Sequence, residues 1–319
     1  MRGRYRIKVS NQKVHFNFEV VRNITVIRGD SGTGKTTLVG MLSDYETLGK
    51  QSGVTVACDK PCRVLTGNDW ELRLSNMKDS IVFIDEGNKF IKSEDFARAV
   101  RSSDNYYVLI TRENLYNLPY SVEEIYEMYS FRHNKKLGRV YNGTRRFYSD
   151  IPTKSNRLAD ADMIIAEDSN AGYAFFRHAA SKAGVACISA QGKTKIFNLL
   201  AGMDQKVLVV ADGAAFGAEI DKIHRLQVTN PGKIVLYLPE SFEWLILKSD
   251  ILRMQEIKDI LEAPENSIDS SLYFSWEQYF TDLLCDRTRG TYMQYTKSQL
   301  SPFYLQDQNV QKIVDEIEK

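Results

Sequence analysis

Ile24-Thr25-Val26-Ile27-Arg28-Gly29-Asp30-Ser31-Gly32-Thr33-Gly34-Lys35-Thr36 is the stretch that decides the fold. A short β-prone run, Ile24 to Ile27, leads straight into Gly29, and a helical pattern opens at Lys35. Residues Gly29 to Thr36 fit G-x-x-x-x-G-K-[ST] in full. Each part answers a physical need. The glycines let backbone amides converge on an anion with no side chain blocking the approach. The helix that follows directs the positive end of its dipole at the same point. Lys35 supplies a mobile charge for the β- and γ-phosphates, and the Thr36 hydroxyl can ligate magnesium. Gly29, Asp30, Ser31, Gly32, Thr33, Gly34, Lys35, Thr36 and Thr37 are thus the expected phosphate-binding residues.

Upstream, Tyr5, Ile7 and Val9 alternate with polar neighbours, as do Val14, Phe16 and Phe18. This predicts an antiparallel strand pair turning at Asn11-Gln12. Downstream, strands and helices alternate. A helix is expected over Lys35 to Leu48 and a strand over Val54 to Ala57. Asn68-Asp69 caps a helix through about Met77, and Ile81 to Ile84 is a buried strand. Ser93 opens a helix through Arg101, and Tyr106 to Thr111 is a further strand. This is α/β order and implies a largely parallel sheet with helices on its faces.

The strand Ile81 to Ile84 ends in Asp85-Glu86. Magnesium-assisted phosphoryl transfer needs such a pair. Asp85 would hold the metal through its water shell, and Glu86 would orient or deprotonate the attacking water. The plainer alternative is a strand ending in solvent. Thr111-Arg112 ends the next strand and is either a surface ion pair or a reach toward the γ-phosphate.

Residues 1 to about 130 resemble P-loop ATPases of the ABC and AAA-like groups, with Gly29 to Thr36 matching Walker A and Asp85-Glu86 matching Walker B. The resemblance implies ATP and Mg2+ as ligands, ATP hydrolysis as the activity, and Lys35 and Glu86 as catalytic residues. No LSGGQ-type signature is present, and Leu74-Ser75-Asn76 lies too near the Walker B strand to serve as one. With no arginine finger in view, the expected arrangement is a homo-oligomer or a partner that completes the site.

From Arg132 to Arg146 the chain carries seven basic residues, counting His133, and no acid. Asn142-Gly143 within it reads as a hairpin turn. The segment is either a solvated hairpin or a contact for the phosphate backbone of nucleic acid. Ile151 to Asn156 reads as a linker. The expected domains are 1–150, 158–250 and 251–319.

The second half starts another α/β run. Strands are expected at Asp162 to Ala166, Val185 to Ile188, Lys206 to Val210 and Ile234 to Tyr237, with helices over Ala171 to Lys182, Lys195 to Met203 and Ala218 to Leu226. The rest reads as mainly helical, closing on Val310, Ile313, Val314 and Ile317 at amphipathic spacing. Glu167-Asp168, Asp212-Gly213 and Glu240 to Glu243 each follow a strand. In a parallel sheet, such loops meet at one edge. Converging carboxylates favour Mg2+ or Mn2+. An acid after a strand is also a common cap or turn residue, so a structural domain and a different small-ligand site stay open. Gln191-Gly192-Lys193-Thr194 lacks the upstream glycine of a phosphate loop.

Residues 160 to 250 resemble the Toprim domain of topoisomerases, primases and overcoming-lysogenization-defect nucleases. The family's glutamate falls on Glu167, and its D-x-D-x-x-G motif on Asp212 and Gly217, with Ala214 in place of the second aspartate. Glu243-Trp244 is similar to a later glutamate beside an aromatic. The resemblance implies a divalent metal on Glu167, Asp212 and Glu243, cleavage of nucleic acid with Glu167 and Asp212 as catalytic residues, and a role in phage defence or mobile-element maintenance. The alternative it leaves is a nucleotide-gated regulatory ATPase whose second domain does not cut.

The 319 residues carry 42 lysines and arginines against 41 acids, which excludes a globally basic nucleic-acid coat and an acidic tail. No apolar run approaches the ~18 residues of a membrane span, and no signal-peptide core follows the basic N-terminus. A cytoplasmic protein with no membrane contact is expected. Cys58 and Cys62, with no second pair or nearby histidine, make no zinc site.

Overall fold

Alternating burial sets the first elements. Strands β1 (Tyr5–Ser10) and β2 (Val14–Val20) bury Tyr5, Ile7, Val9, Phe16 and Phe18 on one face and pair antiparallel. The computed structural model describes residues 1–29, 32–131, 139–149, 151 and 157–318. These form two units, Met1–Ser149 with Ala263–Phe274 and Asp150–Glu262 with Ser275–Lys319. The segment 251–319 is therefore shared between the units. Ala263–Phe274 joins the first through Gly3 N to Glu265 O (2.7 Å) and Asn23 Nδ2 to Phe274 O (2.8 Å).

The first unit continues with β3 (Ile24–Arg28), α1 (Lys35–Leu48), β4 (Thr55–Ala57), β5 (Cys62–Val64), α2 (Trp70–Ser75), β6 (Ile81–Ile84), α3 (Glu94–Arg101), β7 (Tyr106–Ile110), β8 (Ile125–Phe131) and β9 (Val140–Arg146). Helix α3 starts where Ser93 Oγ accepts from Phe96 N at 3.1 Å, an N-cap of the expected kind. The sheet has nine strands in the order β4-β1-β2-β9-β8-β3-β7-β6-β5. It is mixed, where the α/β rhythm predicts a largely parallel one. The run β8-β3-β7-β6-β5 is parallel, but β1 pairs antiparallel with β2 and β4, as does β8 with β9.

Asn142-Gly143 is not a turn. It lies in mid-strand in β9, paired with Ser130 and Tyr129 of β8. Asn142 is buried and its Oδ1 accepts from Ser130 Oγ, while a Cβ on Gly143 would meet the Tyr129 hydroxyl at 2.9 Å. Cross-strand packing, not turn chemistry, accounts for the dipeptide. The basic residues 132–138 lie outside the described residues, as do 152–156 of the expected linker.

Residues 58–61 alone join β4 to β5, although these strands stand at opposite ends of the sheet order. Nine strands laid flat would separate them by ~38 Å at ~4.8 Å per strand. So short a connection reaches at most ~18 Å. The sheet therefore curls, and rings from distant strands touch. Tyr5 of β1 meets Tyr106 of β7 with centroids at 5.6 Å, and Phe18 of β2 meets Phe83 of β6 at 6.3 Å. Leu38, Val39, Met41 and Leu42 of α1 belong to the same core.

The second unit holds β10 (Met163–Ala166), α4 (Ala171–Lys182), β11 (Ala186–Ser189), α5 (Lys193–Leu200), β12 (Val207–Val210), α6 (Ile220–Thr229) and β13 (Ile234–Tyr237). Then follow α7 (Phe242–Lys248), α8 (Gln255–Glu262), α9 (Trp276–Thr288) and α10 (Asp307–Glu318). Its four strands are all parallel, in the order β11-β10-β12-β13. Val310, Ile313 and Ile317 of α10 are buried, as their spacing predicts. Among the described residues, no helix is long and apolar enough to cross a membrane.

Candidate functional sites

In the first unit, β3, β6 and β7 end in register, with Ile27 opposite Ile110 and Ile84 opposite Leu109. The loop after β3 and the residues after β6 and β7 therefore leave the sheet at one edge. Strand β3 lies between β7 and β8, where the chain's course reverses, the position at which open α/β sheets hold ligands. Gly29, Gly32 and Gly34 have φ of 118°, 84° and 93°, values that only glycine adopts without strain. At Gly34 a Cβ would also press on the Phe16 ring at 3.4 Å.

Lys35 is buried, and its Nζ donates to Gly29 O at 2.8 Å and Thr33 Oγ1 at 3.0 Å. An open cavity of about 280 Å³ is lined by Gly32, Gly34, Lys35, Thr36 and Thr37 together with Glu86 and Arg112. Arg112 Nε stands 3.5 Å from Glu86 Oε1, the ion pair of the plainer reading, and both residues line the cavity. Asp85 is outside that lining, and its Oδ1 accepts from Glu86 N at 2.8 Å. Asp30 and Ser31 lie outside the described residues. Beneath the loop, Arg28 is buried and donates from Nη1 to Tyr148 Oη (3.1 Å) and from Nη2 to Tyr120 Oη (3.3 Å). Nothing in the sequence singled it out.

The second unit gathers its acids in the same way. Ala166 and Val210 are paired, so Glu167 and Asp212 follow adjacent strand ends, and β10 lies at the reversal of strand order. A small cavity of about 20 Å³ has Glu167, Asp168, Asp212, Glu243 and Lys297 in its wall. That is room for about one water-sized occupant.

The carboxylates are engaged with backbone amides. Glu167 Oε2 accepts from Asp212 N (2.9 Å), and Asp212 Oδ1 accepts from Phe242 N (3.2 Å). Asp168 takes Gly172 N (3.1 Å) and Tyr173 N (2.6 Å) at the start of α4. Glu243 is 2% exposed; its Oε1 accepts from Tyr295 Oη at 2.7 Å, and its Oε2 has no hydrogen-bond partner.

Burial first, then Glu277 and Asp168, push the Glu167 carboxyl up to about 7, against the opposing Asp212 amide and Lys193. Burial and the neighbours Glu167, Glu277 and Glu243 raise Asp212 well above the carboxylate range. Burial would lower the Lys297 ammonium, yet Glu243, Asp212, Glu277 and Asp168 raise it on balance.

Glu277, Tyr295 and Lys297 were not found from sequence, because no motif links the helical tail to the strand ends. Gly217 is not in the cavity wall. Lys193, in the Gln191 to Thr194 run, donates to Ala215 O at 2.6 Å. Gly213 is required by close approach, since a Cβ there would lie 2.5 Å from Leu238 O. Ala214, where the resembling motif has an aspartate, is buried.

The donors suit one hard cation in kind and size, with oxygen ligands, a one-water cavity and an unpartnered Glu243 Oε2. Among the described residues, however, no group of three Asp, Glu, His or Cys side chains is placed to hold an ion. No family model matches the chain, and no curated protein matches it.

Proposed function

We propose that the first unit is a P-loop ATPase and the second a Toprim-like domain that binds a divalent cation and cleaves phosphodiesters. The observation that carries the reading is the cavity at the end of β3, where Lys35, Thr36, Glu86 and Arg112 face one volume. The positive-φ glycines would leave the loop amides open to the β- and γ-phosphates, and Lys35 would exchange its bonds to Gly29 and Thr33 for phosphate oxygens. Glu86 would orient the attacking water and take its proton. Arg112 would bring positive charge to the γ-phosphate side. Thr36 and Asp85 would hold Mg2+, which when bound offsets charge on the β- and γ-oxygens.

In the second unit, Glu167, Asp212 and Glu243 would hold Mg2+ or Mn2+, which when bound supplies a Lewis acid for phosphodiester hydrolysis. Lys297 would face the negative charge of the substrate. Hydrolysis of ATP by wild type and Lys35→Ala protein tests the first unit, with loss expected and equal rates overturning it.

A second reading of the second unit rests on Lys297 and Ala214. The ammonium already balances the acids, and the domain binds without cutting. Manganese discriminates. A rise in melting temperature that Glu167→Ala with Asp212→Ala abolishes supports the metal site. No rise leaves Lys297 as the counter-ion.

A further inference from the structure

Strand β9 lies between β2 and β8, and its register sets His15 and Phe131 on either side of Tyr141. On this outward face, the centroids of His15 and Tyr141 are 5.5 Å apart, those of Phe131 and Tyr141 5.7 Å, and those of Tyr129 and Phe131 5.9 Å. The last two pairs are near-parallel, inclined by only 24° and 25°, and the His15 ring is tilted by 59° to Tyr141. Phe131 is 43% exposed and Tyr129 40%, while Phe16, Asn142 and Met128 on the opposite face are buried. Gly143 is the residue that leaves room for the Tyr129 ring. A contiguous aromatic row in solvent on a sheet marks an interaction surface.

Cations surround the row. Lys8 on β1 is cross-strand from Asn17, two residues along β2 from His15 and so on the same face. Lys8 and Lys13 are exposed. Arg139 Nη2 donates to Asn11 O (2.9 Å) between β1 and β2, and burial, then Arg139 and Lys8, lower the His15 imidazole. Arg145 lies over Tyr129 at 6.0 Å. The acids nearby are matched, Glu127 by Arg145 and Glu19 by Arg4 and Arg6.

We propose that this sheet face binds single-stranded nucleic acid, with bases stacked on Tyr141, Phe131 and Tyr129 and phosphates against Lys8, Lys13 and Arg139. Exposed aromatic rings pair with the faces of unpaired bases, which a duplex conceals, and every base offers such a face. The flanking cations complement an anionic strand and set no sequence preference. None of these residues lines either cavity, and the proposal rests on neither nucleotide hydrolysis nor metal binding.

The test is fluorescence anisotropy on the full chain in EDTA without nucleotide, so that neither proposed activity affects it. Labelled oligothymidylate and oligouridylate of about 20 nucleotides are compared with duplex DNA. Tighter binding of either single strand than of duplex supports the proposal, and the preferred strand names the sugar. Phe131→Ala should weaken binding about 10-fold, and Phe131→Trp should restore it, which a purely structural role would not do. Lys8→Gln should flatten the salt dependence. Absence of binding, equal affinity for duplex, or wild-type affinity in Phe131→Ala overturns it.

Discussion

The two candidate sites occupy the same position in their sheets and are made of different material. At the end of β3, the site comes mainly from one short loop, with Gly32, Gly34, Lys35, Thr36 and Thr37 in its wall and glycines at positive φ, joined by Glu86 and Arg112. At the ends of β10 and β12, the site is side chains, brought from Glu167, Asp212, Glu243 and Lys297 by separate elements. A backbone site tolerates little change at residues that carry no functional group. A side-chain site yields piece by piece. The loop after β3 holds few charges of its own, whereas the acidic cavity gathers several carboxylates and must neutralise them.

The largest effect that would break this comparison is expected at Gly34→Val. Strain at φ 93° costs about 1–3 kcal/mol, and displacing the Phe16 ring adds to it. Binding of a fluorescent ATP analogue should fall on the order of 1,000-fold, about 4 kcal/mol. Wild-type affinity would mean that side chains, not backbone, make the site.

Next comes pH. Glu167 titrates higher in the folded chain, at about 7, than its ordinary 4.5, so the folded state holds the extra proton between those values. Its contribution to stability is therefore present below the lower value and is lost as pH rises through the upper one. The free energy of unfolding by denaturant in chelator should fall between about pH 5 and 8, by about 3 kcal/mol at most. Glu167→Gln should flatten the profile. An unchanged slope would remove Glu167 as a source of stored charge.

The smallest effect is Tyr295→Phe, which takes the Tyr295 hydroxyl from Glu243 Oε1 and costs about 1–3 kcal/mol. It should shift the urea midpoint at constant slope and leave nucleotide binding unchanged. A change in nucleotide affinity would couple what the comparison separates.

The same contrast explains what was legible in the sequence. Helix α1 runs from Lys35 to Leu48 as its pattern predicts, because the loop glycine before it and Gly49 after it mark its ends locally. Strand β5 is three residues long and β8 breaks its alternation at Glu127 and Ser130, so neither carries a periodic signal. Asn142-Gly143 has the composition of a turn, but its identity answers to Ser130 and Tyr129 across the ladder. Tyr295 and Lys297 stand far along the chain from the strand ends they serve, and only tertiary packing introduces them. Contiguous chemistry can be read from order alone; convergent chemistry needs the fold.

The short link between β4 and β5 has a consequence for how the protein behaves in a crowd. An open nine-stranded sheet would end in two rows of unpaired amides and carbonyls, each a template for strands of another molecule. Here the terminal strands are three residues each and are drawn toward one another by residues 58–61. The curl that lets Tyr5 reach Tyr106 thus also leaves little edge on which aggregation could begin.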